Sequence, residues 1–407
     1  MRVIVLSDYG YVSGGAAQVA IRSLNGLAEA GLDVVFVTSV GPVDPGIDRT
    51  LVKIVNFGFH DLLGNQSRIQ AAVRGIWDSR CANLLRELLL NYDPEDTIVH
   101  LHSWVQSLSS SVVQAVNSLG FRLVCTLHDY FSVCPNGGLY NFPQRKHCKL
   151  WPMSLDCITS NCDSRSYAQK LWRVGRHVVQ GRFGGMPKDI KYFILVSDYS
   201  ESILRPLLPA AAKFFRVGNP IDIERGAPSD VGYHDAFTFV GRLAPEKGAD
   251  VFASAAQRAR VRAVFVGGGA DEARIAGINP TAEFQGWQNR AGVVRSIQSS
   301  RAVVFPSLWH ETQGMVVVEA AALGVPSIVS DACAARDSII DGETGLLFQA
   351  GYAADLAAKL TLLDSDRQLA ARLGMKAYER YWSAPSTTEL HVKQLISCYT
   401  QIMGYAE

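Results

Sequence analysis

The sequence predicts an α/β fold: two Rossmann-like, doubly wound parallel sheets that face each other across a cleft. Three observations lead there. Short Val/Ile/Leu/Phe runs alternate with longer helical patterns, the rhythm of parallel βαβ units. The runs fall into two sets, one in each half of the chain. A length of 407 residues, 48% of them hydrophobic, exceeds one ordinary core and reads as two domains of roughly 200 residues each.

The first set of expected strands comprises Arg2 to Leu6, Val34 to Thr38, Ile98 to His102, Leu123 to Leu127 and Phe193 to Val196. The second comprises Thr238 to Val240, Ala263 to Val266, Glu283 to Phe284, Ala302 to Phe305, Ser327 to Val329 and Gly345 to Phe348. Between them lies RVGNPIDIERGAPSDVGYHDA, rich in Gly, Pro and Asp and without a period, which reads as the linker. The expected domains are therefore 1–217 and 218–385, with a final helical segment at 386–407. Ligands of open α/β sheets sit beyond the carboxyl ends of the strands, so the facing domains make a cleft with a site on each wall.

Charge narrows the partners. The chain carries 39 basic and 38 acidic residues, so no global field points to nucleic acid. The N-terminus MRVIVLSDYG holds only a short apolar run, well below the ~18 residues a membrane span needs, and a cytoplasmic chain with mostly reduced cysteines is expected. Attachment to a membrane surface stays compatible with that.

Glycines at strand ends are the next signal, since a phosphate needs close backbone approach and a helix N-terminus beneath it. Gly14 and Gly15 open an Ala-rich helix after the first strand, Gly267 to Gly269 follow a second-half strand, and Gly314 precedes another helix. None has dinucleotide spacing, and each alone reads equally as a tight turn. Three together favour a diphosphate ligand.

In FVGRLAPEKGADVF, Arg242 and Lys247 follow a strand, with Pro245 and Gly248 shaping the loop before a helix. A planar fork and a compact point charge beside a helix N-terminus suit a pyrophosphate, although a solvated loop with Arg242 paired to Glu246 fits the spacing as well. In HETQGMVVVEAAALGVPSIVSD, the stretch from Glu311 to Gln313 reads as loop and Glu319 as the second turn of a helix opening at Gly314. Carboxylates accept from vicinal hydroxyls, so a sugar and a ribose are natural partners. The competing reading for Glu311 is a first-turn charge on the helix dipole, while Glu319, set among Val and Ala, would be costly unpaired.

These stretches, GRLAPEKG, PSLWHETQGMVVVEAAALGVPSIVSD and IIDGETGLLF, resemble glycosyltransferase family 4, the retaining nucleotide-sugar transferases of GT-B fold. The resemblance implies that Arg242 and Lys247 bind the donor diphosphate, and that Gly15 approaches it from the opposite wall. Glu311 would hold hydroxyls of the donor sugar, backbone amides of Gly314 and Met315 would lie near phosphates and sugar, and Glu319 would take the ribose. His128, in CTLHDYF, matches a histidine near the transferred sugar; a strand-end histidine bonded to backbone is the alternative. His128, Glu311, Arg242 and Lys247 form the expected catalytic set. His100 and His102 read as structural, alternating along their strand so that only one faces the cleft. The resemblance also implies that the last helix crosses back to the first domain.

No acid and base pair of carboxylates is evident, and the leaving diphosphate itself would take the acceptor's proton. No cofactor is expected for catalysis: the sole Asp-x-Asp triplet, Asp364-Ser365-Asp366, reads as a helix N-cap with a first-turn carboxylate. A GT-B epimerase would lack the combined Arg, Lys and paired glutamates, a glycogen-type synthase acts on a soluble polymer, and a Rossmann oxidoreductase requires the missing glycine fingerprint.

Two features remain. Cys134, Cys148, Cys157 and Cys162 are separated by 13, 8 and 4 residues in an insertion at 134–162 with little regular period, where a structural zinc site competes with free or disulfide-linked cysteines. The following stretch, 165–191, carries seven Lys/Arg against one acid, Asp189, and its Tyr167, Leu171, Trp172, Val178 and Val179 fall on one helical side. Such a helix is either an ordinary domain helix or a peripheral contact with an anionic membrane that presents a lipid-linked glycan acceptor.

Overall fold

The computed structural model describes residues 1–62, 64 and 67–404, so the end of the expected final segment, 405–407, lies outside the described residues. The first sheet holds β1 (Arg2–Tyr9), β2 (Asp33–Val40), β3 (Val52–Asn56), β4 (Thr97–Leu101), β5 (Arg122–Thr126), β8 (Tyr192–Leu195) and β9 (Lys213–Arg216). Its order is β3-β2-β1-β4-β5-β8-β9, with every pairing parallel. Between β5 and β8 a short antiparallel hairpin pairs β6 (Tyr140–Asn141) with β7 (Lys146–His147).

The second sheet holds β10 (Ala236–Val240), β11 (Arg262–Val266), β12 (Glu283–Gly286), β13 (Ser300–Phe305), β14 (Ser327–Ser330) and β15 (Gly345–Phe348). They run β12-β11-β10-β13-β14-β15, again all parallel. Both sheets reverse strand order beside their first strand, which opens a crevice there for ligands.

Continuous apolar runs build the central strands because both faces of a parallel sheet are covered. Along β1 the alternation is visible: Ile4 and Leu6 enter the core with Val99, Leu101 and Leu123, while Val3 and Val5 enter the opposite core with Leu24 and Leu27. The edge strands β3 and β9 lie outside the sequence expectation. Their residues are mostly half-buried or exposed, so VKIVN and KFFR carry no long apolar run. The expected insertion without period contains the β6–β7 hairpin and a short helix, Leu155–Thr159.

The final helix, Thr388–Met403, lies on the first sheet's side of the molecule. Val392, Leu395, Cys398, Tyr399, Ile402 and Met403 pack with Val3, Val5, Ile21 and Leu24. Its His391 bridges Ser23 Oγ and the linker carbonyl of Gly218, each at 2.8 Å.

Candidate functional site

The cleft between the sheets has a volume of about 1330 Å³, and Gly15, His128, Arg242, Lys247, Glu311, Gly314, Met315 and Glu319 all line it. On the first wall, Gly15 begins the helix Gly15–Glu29 directly after β1. On the second, Gly314 caps the helix Met315–Ala322 with φ 81°, a left-handed conformation open mainly to glycine. A Cβ on Gly15 would stand 3.0 Å from Met315 Cε, so the two walls meet at the two glycine turns.

Lys247 ends a 3-10 turn, Pro245–Lys247, and its ammonium is paired with Glu311 Oε1, which also accepts from Ser307 Oγ at 3.2 Å. Burial works against the charge on Glu311, but Lys247 and the hydrogen bonds outweigh it and hold this carboxylate below its ordinary pKa. Arg242 Nη2 donates to Glu246 at 3.1 Å, as the solvated-loop reading had it, yet its side chain is 70% exposed and lines the cleft. Arg242 therefore keeps donors for an anion.

Glu319 sits in the second turn of its helix, as expected, with a partner that sequence spacing did not disclose. Arg290 Nη1 donates to Glu319 Oε1 at 2.5 Å, and Arg290 Nη2 to the linker carbonyl of Asp222 at 3.0 Å. Asp222 in turn takes an ion pair from Arg22 of the first wall at 2.5 Å. Nothing local marks Arg290: it is the first residue of a helix capped by Asn289, 29 positions before Glu319.

His128 stands just past β5 with its Nε2 3.0 Å from His102 Nδ1. Burial, reinforced by the charge of His391, lowers its pKa to about 3, so the imidazole facing the cleft is neutral. The expected alternation of His100 and His102 is corrected. Residues two apart share a face of a strand, and these rings lie 4.1 Å apart. His100 bonds Tyr399 OH at 2.6 Å and Thr126 Oγ1 at 2.7 Å, whereas His102 Nε2 has no hydrogen-bond partner among the described residues.

The glycines at 267–269 serve packing first. Cβ atoms on Gly267 and Gly269 would stand 2.0 and 2.2 Å from the carbonyl oxygens of Gly241 and Leu243, so these glycines let two strand-end loops touch. Gly267 and Gly268 still line the cleft. The Asp-x-Asp triplet is split between helices: Asp364 and Ser365 end Ala353–Ser365, and Asp366 caps the next by accepting from Leu369 N at 2.8 Å.

Of the expected zinc ligands Cys134, Cys148, Cys157 and Cys162, two meet a lysine. Lys170 Nζ donates to Cys162 Sγ at 3.2 Å and Cys157 Sγ at 3.5 Å, with Cys134 and Cys148 as further electrostatic neighbours. Among the described residues no three His, Cys, Asp or Glu side chains are grouped to hold a metal. An ammonium at the focus of the thiols repels a second cation, so this arrangement does not fit structural zinc.

The basic stretch divides its cations between interior and surface. In the helix Tyr167–Arg182, Lys170 and Arg176 are buried, and Arg173 is turned inward onto Asp163 at 3.0 Å. Trp172 and Val179 are half-buried, while Tyr167, Leu171 and Val178 face outward, followed by exposed Phe183. The helix thus turns Lys170, Arg173 and Arg176 inward beside buried Val174, and leaves Leu171, Val178 and Arg182 exposed.

The sequence and the fold match known proteins. A family model described as Glycosyltransferase Family 4 matches residues 13–225, and one described as Glycosyl transferases group 1 matches residues 232–380. The chain belongs to glycosyltransferase family 4. It is 36% identical over 170 residues, 41% of its length, to a GDP-mannose-dependent alpha-mannosyltransferase of Mycolicibacterium smegmatis. It is 30% identical over 220 residues, 50% of its length, to a phosphatidyl-myo-inositol mannosyltransferase of Mycobacterium leprae. The aligned stretches span 43% and 59% of those two curated relatives. A sucrose-phosphate synthase from Thermosynechococcus elongatus superposes with a TM-score of 0.74 at 18% identity, covering 100% of both chains, which establishes the shared GT-B fold.

Proposed function

We propose that this chain transfers a hexose-type sugar from a nucleotide diphosphate sugar, a UDP-sugar or GDP-mannose, to a lipid-linked glycan acceptor with retention of anomeric configuration. The setting would be the assembly of a bacterial surface polysaccharide. One observation carries the reading: Gly15, Arg242, Lys247, Glu311, Gly314 and Glu319 converge on one cleft where two glycine turns meet.

In this reading the diphosphate lies over the N-terminus of Met315–Ala322, whose first amides and dipole attract negative charge. Arg242 and Lys247 stabilise the charge that develops on the leaving group. Glu311, oriented by Lys247 and Ser307, accepts from sugar hydroxyls, and Glu319, held by Arg290, accepts from the ribose. Neutral His128 stands on the acceptor wall, where it can donate or accept but repels no cationic transition state. The acceptor hydroxyl passes its proton to the departing diphosphate, so no protein base is required.

Thermal-shift screening against UDP, GDP and ADP, followed by their sugars, tests the donor half. A matching nucleotide at a hundredfold excess over its dissociation constant adds ~2.7 kcal/mol of stability. No shift with any of the three would overturn the assignment.

The lipid-linked acceptor rests on a surface. Leu171, Val178 and Phe183 face outward, Ile69 and Leu155 are 79% and 80% exposed, and Arg165, Arg182, Lys188 and Lys191 are exposed along the same 165–191 stretch. No helix of the described residues is long and apolar enough to cross a membrane. An apolar face edged by cations suits the interface of an anionic bilayer. Co-sedimentation with vesicles should retain the chain when anionic lipid is present. Equal recovery in the supernatant with and without it would shift the reading to a soluble acceptor.

A further inference from the structure

We propose that Lys170 and Cys162 are the site of an oxidative covalent link, a nitrogen–oxygen–sulfur bridge tying the helix Tyr167–Arg182 to the cysteine-bearing insertion. Lys170 is completely buried. Its ammonium donates to two sulfurs, Cys162 Sγ at 3.2 Å and Cys157 Sγ at 3.5 Å. The neighbouring carboxylate, Asp163, is already engaged by Arg173 at 3.0 Å. A buried charge is tolerated when it is paired, and a thiol is a weak acceptor. Joining nitrogen to sulfur through one oxygen removes that charge from the interior. At 3.2 Å the two atoms need little movement to admit a bridging oxygen.

The step balances with dioxygen as oxidant. The Cys162 S–H bond and two N–H bonds of the Lys170 ammonium break, and S–O and O–N bonds form. Sulfur and nitrogen each give up two electrons, one oxygen atom stays in the bridge, the other leaves as water, and one proton is released. Cys157, at 3.5 Å, is the second sulfur within reach of the same nitrogen.

The link would matter beyond its neighbourhood because the insertion touches the second sheet's domain. Arg145, in the β6–β7 turn, forks onto Asp250 at 2.6 and 2.7 Å, and the His147 ring stacks 3.6 Å from that of His310. Anchoring the insertion to the first domain stiffens a strap that spans both.

Peptide mass spectrometry of the full chain, purified once in air without reductant and once anaerobically with dithiothreitol, tests this. The air-exposed sample should yield the Lys170 and Cys162 peptides joined, with one oxygen gained and two hydrogens lost, and reductant should reverse the link. Cys162→Ser and Lys170→Met should each reduce the joined species to background, so one folded variant suffices. A Cys157–Cys162 disulfide beside unmodified Lys170, stoichiometric zinc or iron, or free thiols after peroxide exposure would each overturn the proposal.

Discussion

Replacing Glu319 by Ala removes the group assigned to the ribose and the partner of Arg290 together. The Glu319 side chain is 6% exposed and Arg290 is 30% exposed, with their atoms 2.5 Å apart. Breaking a fully buried pair costs about 3–5 kcal/mol, but Arg290 keeps its bond to the Asp222 carbonyl and can turn toward the cleft. A loss of ~1–2 kcal/mol in stability is therefore expected, a drop of about 2–8 °C in melting temperature for a domain of this size. Hydrogen bonds to a charged acceptor contribute ~1.5–3 kcal/mol, so nucleotide affinity should fall roughly 10- to 150-fold. Isothermal titration with the best nucleotide from the thermal screen measures the second effect, and melting without nucleotide measures the first. Glu319→Gln separates charge from geometry and should fall between wild type and Glu319→Ala. If Glu319→Ala melts lower yet binds the nucleotide with unchanged affinity, its role is to hold Arg290 and the ribose assignment fails.

Other outcomes follow from the same geometry. Lys247→Ala or Arg242→Ala should lower the transfer rate on the order of 10²-fold or more, measured as kcat with saturating donor. Lys247→Ala should also destabilise the chain by stranding Glu311, and Arg242→Ala should do so less, because Glu246 loses only a solvent-exposed partner. Full activity should survive EDTA, and a loss restored by Mg²⁺ would refute diphosphate stabilisation by protein groups alone. Acid should destabilise the fold. His128 and His310 are lowered to about 3 and His391 to about 4, all chiefly by burial. Such groups add stability that is complete above the unfolded value near 6.5 and is lost as pH falls toward the folded ones, by up to ~1.4 kcal/mol per pH unit for each histidine. A melting temperature that stays flat from pH 6.5 to about 4.5 would contradict their burial.

The α/β alternation and the opening of the Met315–Ala322 helix were legible because each depends on residues close in sequence. Apolar runs build central strands, Gly and Pro break them, and Gly314 supplies a positive φ just where a helix starts. Edge strands were not legible, since β3 and β9 bury too little to need an apolar run. Arg242, Lys247, Glu311 and Glu319, to which the resemblance pointed, line the cleft, and so does Arg290, to which it did not.

What the sequence determined by itself was therefore the class of the protein and part of the lining of its cleft, with Arg290 and Arg22 left out. What only the tertiary structure decided was pairing. Arg290 meets Glu319 across 29 positions, Arg145 meets Asp250 across 105, and Lys170 meets Cys162 and Cys157 of the four-cysteine insertion. The basic helix also shows why period alone misleads, because Arg173 turns inward onto Asp163 and Lys170 onto the thiols while Leu171 and Val178 stay exposed. A local pattern records which side chains share a face, but the direction of that face and its partner depend on chain distant in sequence, and burial energies are settled only there.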